Sequence, residues 1–251
     1  MKIALLADIH GNAIALEAVL ADIEREGGAD AYWVLGDLVA IGPDPAGVLE
    51  QIDALPDKKI IRGNTDRYVA FGDRPGPSVA EVKADAALFT PLIQVANTFA
   101  WTQGMVTAAG WLPWLKGLPL NFELELPDGT RFLGVHASPG TDDGTGISPA
   151  SSDAEIGTLC NDCDAGLLCV GHTHLPLDRR WGQVHIVNPG SVGLSRTPDL
   201  YANYAFLDAD SDGYQVTHRR VAFDRQAVID QLIELTHPAR EFIIHHLTHV
   251  L

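Results

Sequence analysis

Apolar residues run almost unbroken from Lys2 to Ala7 and again from Tyr32 to Leu35, as in strands buried on both faces. Between them, Ala13 to Glu26 carries apolar positions at helical spacing, and Gly27-Gly28 stops that helix. A further helix, Pro45 to Leu55, leads into a third strand, Lys58 to Arg62, so the chain opens as βαβαβ. That order predicts parallel neighbours joined by right-handed crossovers, with all three strands ending on one edge of the sheet.

The segment of about 78–115 reads as a helical insertion in a single domain spanning 1–251. It is rich in Ala and holds Trp101, Trp111 and Trp114, with breakers at Gly104, Gly110 and Pro113. These aromatics read as core; the functional alternative is a helical cap that selects the substrate's leaving group. Strict alternation follows, with Phe122, Leu124 and Leu126 on one side and Glu123 and Glu125 on the other. Pro127-Asp128-Gly129 turns the chain back into a partner strand, Arg131 to Val135, closed by His136. A helix near Ser152 to Asp162 precedes a buried strand, Gly166 to Val170. Strands at His185 to Val187, Tyr204 to Asp208 and Tyr214 to Arg220 complete two facing sheets flanked by helices. The tail after Pro238 reads as a helix whose Phe242, Ile243 and Leu247 bury against the body or against a second copy, a route to a homo-oligomer.

Composition adds limits rather than identity. With 251 residues, 46% hydrophobic and 20% charged, the chain is an ordinary globular one. The apolar opening is cut at Asp8, too early for a signal peptide, and no run is long enough to span a bilayer, so a cytoplasmic protein without membrane contact is expected. Three cysteines argue against a disulfide framework, and the Cys160/Cys163 pair lacks the second pair that a zinc site needs. A formal net charge of -16 opposes binding to a nucleic-acid polymer and favours a small ligand. The Asp208–Gly213 run opens like a calcium loop, but its twelfth position is Arg219 and strands flank it, which makes it a hairpin turn.

The chemistry lies at the strand ends. Asp8-Ile9-His10, Gly36-Asp37, Gly63-Asn64-Thr65-Asp66 and Gly171-His172-Thr173-His174 each close a predicted strand, and His136 closes another. Carboxylates and imidazoles delivered to one rim of an open sheet supply donors for two divalent cations side by side. Singly, each is unremarkable: Asp8 would serve as a helix cap and His136 as a core histidine.

In that order, D-x-H, GD, GN-x-D, a lone His and GHTH resemble the calcineurin-like metallophosphoesterase family, in particular its small bacterial and archaeal phosphodiesterase-like branch. The resemblance runs from Asp8 to the turn Asn188-Pro189-Gly190-Ser191-Val192-Gly193. It implies an α/β fold, a four-layer αββα sandwich of two mixed β-sheets flanked by helices. It also implies one metal on Asp8, His10, Asp37 and His174, and a second on Asn64, His136 and His172, with Asp37 as bridge. Such a donor set suits Mn first, with Fe, Zn, Co or Ni as alternatives. The expected reaction is hydrolysis of a small phosphodiester by a metal-bridging hydroxide. A phosphomonoesterase or nucleoside polyphosphate hydrolase is the alternative within the enzymes, and a metal-binding interaction scaffold the alternative outside them.

One departure stands out. Phosphatase-like members place a His after the Gly-Asn pair, as the acid for the leaving oxygen; this chain has Thr65, which cannot act as an acid near neutral pH. Activity should therefore favour leaving groups of low pKa. Asn64 and Asp66 are the remaining catalytic candidates, with Asp66 relaying a proton or merely capping a helix. Asn12 and Arg62 adjoin the ligand motifs as candidate phosphate contacts, Arg62 equally as a salt-bridge partner.

Overall fold

The computed structural model describes residues 1–161 and 163–249. Ten strands form two mixed five-stranded sheets. The first combines β1 (Lys2–Leu6), β2 (Ala31–Leu35), β3 (Lys58–Ile61), β9 (Ala202–Asp210) and β10 (Gly213–Val221), in the order β10-β9-β1-β2-β3. Strands β1, β2 and β3 are parallel, as their crossovers demand, and β9 and β10 run antiparallel beside them. The second sheet combines β4 (Asn121–Glu125), β5 (Arg131–Val135), β6 (Leu167–Cys169), β7 (Leu177–Trp181) and β8 (Val184–Asn188), in the order β4-β5-β6-β8-β7. Its three central strands, β5, β6 and β8, are again parallel.

The unbroken apolar runs have a simple cause: both faces of the first sheet are covered. Ile3, Leu5, Ala31 and Trp33 point inward to meet Leu126, Phe132, Leu167 and Val187 of the second sheet. Trp33 packs on Phe132 at 4.4 Å and on Phe122 at 5.4 Å between ring centroids. Their neighbours Ala4, Leu6, Tyr32 and Val34 point outward. They lie against α1 (Ala13–Arg25), α2 (Pro45–Asp53), α3 (Asn64–Phe71) and the helices of the central segment. The outer face of the second sheet is covered by α7 (Asp153–Leu159) through Ile156. The architecture is thus the αββα sandwich, with one thin outer layer.

The central segment holds α4 (Val79–Ala84), a 3₁₀ turn at Ala86–Leu88, α5 (Phe89–Ala108) and α6 (Leu112–Lys116). Gly104 does not break α5, because a single interior Gly costs only about 1 kcal/mol. Gly110, at φ 81°, does end that run. Trp111 and Trp114 pack edge to face on each other and lie against the main core, while Trp101 stands against His237. The chain finishes with α8 (Arg225–Glu234) and α9 (Arg240–Thr248), whose Ile243 and Leu247 bury against Val228 and Leu232 of α8. Phe242 remains 52% exposed.

Helix α7 is shorter than the sequence predicts. Ser152 caps it, it ends at Leu159, and Asp162 lies outside the described residues. Burial, then the neighbouring Cys163, pushes the Cys160 thiol up to about 11, so this pair holds inert thiols. Among the described residues no helix is long and apolar enough to cross a membrane.

Candidate metal centre

Strands β1, β2 and β3 of one sheet and β5 and β6 of the other end at a common rim, and the polar clusters follow directly. Backbone hydrogen bonds lock the loops together: Asp8 N donates to Gly36 O, His10 N to Asp37 O, and Gly171 N to His136 O. Five of the candidate ligands, Asp8, His10, Asp37, His172 and His174, have φ between 50° and 67°. This left-handed conformation is uncommon for residues with a Cβ, and strain of this kind concentrates at functional sites. It folds each side chain back over the strand end instead of along it.

Two groups of donors result. Ligand atoms of Asp8, His10, Asp37 and His174, all buried, lie within 4.8 Å of one another. Beside them, Asn64 Oδ1 is 3.1 Å from both His136 Nε2 and His172 Nδ1. Asp37 spans the groups, with Oδ2 3.6 Å from His10 Nε2 and Oδ1 3.4 Å from His136 Nε2. The Thr65 backbone N–H holds Asp37 Oδ1 at 2.9 Å.

The imidazoles are oriented by carbonyls. Nδ1 of His10, His136 and His174 lies 3.2, 2.7 and 2.7 Å from the carbonyl oxygens of Ala40, Leu35 and Leu194, and Nε2 of His172 lies 2.8 Å from Gly144 O. A carbonyl only accepts, so each ring donates there and turns its other nitrogen into the cluster. For the neutral rings of His10 and His174, two Nε2 lone pairs then face each other at 3.0 Å. Asp8 Oδ2 is buried without a hydrogen-bond partner. Lone pairs facing lone pairs beside an orphaned carboxylate oxygen are the arrangement that a bound cation resolves, so the donor set fits a metal.

The electrostatics agree. Burial, followed by the charge of Asp37, raises the Asp8 carboxyl well above its ordinary range. Burial acts the same way on Asp37, but His136 and His10 outweigh it and hold that carboxyl far below. Burial resists charging His136, yet the Asp37 carboxylate prevails and lifts the imidazole to about 10. His10 and His174 are kept neutral, chiefly by burial.

A model of the calcineurin-like phosphoesterase superfamily domain matches residues 1–212. The chain belongs to the calcineurin-like phosphoesterase superfamily. A metallophosphoesterase from Sphaerobacter thermophilus superposes with a TM-score of 0.76 at 27% identity, covering 100% of this chain and 99% of that one. A hypothetical protein from Pyrococcus horikoshii superposes at 0.82 and 24% identity, covering 100% and 98%, which shows the shared fold. The phosphodiesterase YfcE of Escherichia coli is 27% identical over 219 residues, 84% of this chain and 89% of its own. A calcineurin-like phosphoesterase is a phosphoric ester hydrolase that depends on metal, and the Asp/His cluster is where this chain would bind it.

Other residues singled out in the sequence occupy different places. Asn12 caps α1, accepting from Ala15 N, and donates Nδ2 to Gly193 O. Arg62 Nε pairs with buried Asp142 at 2.9 Å, which Arg67 also holds. Asp66 is buried and accepts three backbone N–H groups, those of Leu38, Val39 and Gly63. Burial and the charge of Asp37 push its carboxyl up to about 7 against those donors. Its oxygens therefore brace the loops of Asp37 and Asn64 to each other.

The turn that closes the resembling stretch supports the loops of the candidate ligands. Ser191 Oγ donates to Asp8 O, and Asn188 Nδ2 donates to Gly171 O and Thr173 Oγ1, so the Asn188–Gly193 turn packs beneath the ligand loops. The carbonyls of Ala40, Leu35 and Leu194 are invisible in a sequence, since every residue carries one.

Proposed function

We propose that Asp8, His10, Asp37 and His174 hold one divalent cation, that Asn64, His136 and His172 hold a second with Asp37 as bridge, and that the chain hydrolyses small phosphodiesters. The observation that carries this reading is the span of Asp37 between the two donor groups. When bound, the cations generate a nucleophile from water at neutral pH and neutralise charge on the phosphoryl oxygens. Imidazoles with carboxylates and no thiolate suit Mn, with Fe, Zn, Co or Ni able to replace it.

The chain's own groups do the positioning. The carbonyls of Ala40, Leu35, Leu194 and Gly144 fix which ring nitrogen is offered. The Thr65 N–H and the Asp66 brace hold Asp37 against Asn64. Thr65 offers a hydroxyl that cannot yield a proton near neutral pH, so the leaving oxygen must depart without an acid. That favours esters whose alcohol is already acidic. The relative named a phosphodiesterase supports the diester over the monoester.

The test is hydrolysis of bis-p-nitrophenyl phosphate and of p-nitrophenyl phosphate by metal-stripped protein with Mn²⁺ restored. Diester turnover exceeding monoester turnover, and absent from Asp37→Asn, is expected. A faster monoester would move the reading to a phosphomonoesterase. Metal binding without turnover of either would favour a scaffold.

A further inference from the structure

A cavity of about 570 Å³ opens beside the metal centre, between the central helices and the start of α9. Asn64 and Thr65 are part of its wall, so the residue that offers Oδ1 to His136 and His172 also borders the cavity. The remaining wall is largely apolar, with Tyr68, Val95, Phe99 and Phe242 supplying its aromatic and aliphatic surface. Ile41 contributes from a left-handed backbone, φ 86°, an outlier for a β-branched residue.

Building on the phosphoesterase reading, we infer that this cavity receives an uncharged aromatic group esterified to the phosphorus and so selects the substrate. The volume lies within the range of small-molecule sites, and apolar walls with a few polar groups at one end are their usual chemistry. Charge decides against a polyphosphate occupant. Among the described residues the only charged side chains on the wall are Arg240 and Glu241, of opposite sign, so nothing there neutralises a chain of phosphates. Thr65, whose hydroxyl is buried without a protein partner, stands beside Asn64 in that wall. An aryl alcohol is also the acidic leaving group that Thr65 requires, so the cavity and the missing acid point to one substrate class.

The experiment measures binding of phenylphosphonate and methylphosphonate to the Mn-loaded protein by titration calorimetry, with KM for bis-p-nitrophenyl phosphate alongside. Gln94→Trp fills the cavity from an exposed position on α5, and Phe242→Ala removes wall from an exposed position on α9. The wild type should bind phenylphosphonate about tenfold tighter than methylphosphonate or better, the preference expected of a buried ring. Both variants should shrink that ratio and raise KM, with methylphosphonate binding unchanged. Equal binding of the two phosphonates, or a ratio untouched by either variant, while the diester is still hydrolysed, would overturn the cavity's role and leave the phosphoesterase reading standing. No phosphonate binding and no hydrolysis would overturn both.

Discussion

Gly63 has no room for a side chain. A Cβ there would lie 2.0 Å from Asp37 Oδ1, so Gly63→Ala must displace the carboxylate shared by both donor groups. We expect about 1–3 kcal/mol of lost stability, as for other overpacked sites, and Mn²⁺ affinity reduced at least tenfold, read by urea denaturation and titration calorimetry. Gly36 is bound in the same way, with φ 87° and a Cβ that would meet Gly63 N at 2.5 Å. Thr65 gives a prediction of opposite sign. Thr65→His should speed hydrolysis of esters of poor leaving groups by about 10²-fold or more, as general acids do, while p-nitrophenyl esters change little. Equal gains on both classes would mean that the new imidazole does not protonate the leaving oxygen. At this scale the residues that gather at the rim were legible, because the order of their motifs is specific. The ion pair of Arg62 was one of its two readings, but adjacency in sequence does not reveal that Asp142 is its partner or that Gly193 O takes the Asn12 hydrogen bond.

The strand ends carry the functional geometry, and the turn after β8 supports two of them. Asn188 is buried, with its amide tied to Gly171 O, Thr173 Oγ1 and Gly190 N. Asn188→Ala leaves those partners unpaired. It should cost about 1–3 kcal/mol and, by loosening the loop of His172 and His174, lower metal affinity by about 10–100-fold. Retained affinity in a folded variant would show that the loop is held by other means. The βαβαβ opening was readable because β1 and β2 are buried on both faces. Strand β7 was not, since Leu-Asp-Arg-Arg-Trp at a sheet edge reads as a polar loop. Helix α3 was legible only through Asp66 as a cap, because the helix begins on the candidate ligand Asn64 itself.

Across the whole molecule the net charge is -16, and the buried titratable groups at the rim tie stability to proton binding. In the metal-free protein, His136 is raised from about 6.5 to about 10, so its share of stability is complete below about pH 6.5 and is lost as pH climbs towards 10. Urea denaturation should therefore show metal-free protein weaker at pH 9.5 than at pH 6.5, by an amount on the order of a few kcal/mol. Asp37→Asn should flatten that slope by removing the partner that charges His136. An unchanged slope would assign it to other groups. The facing of the two sheets was foreseeable from alternation and parallel crossovers. A cap from the central helices was among the readings of the sequence, but the share of α9 in the cavity was not, because it joins segments that the sequence keeps far apart.

We propose that the Asp37 carboxylate joins two metal sites, so the number of metals bound per chain is the decisive measurement. Titration of Mn²⁺ into metal-stripped protein at neutral pH should give two equivalents per chain, and Asp37→Asn no more than one. A single equivalent in the wild type, or two retained by Asp37→Asn, would contradict the account.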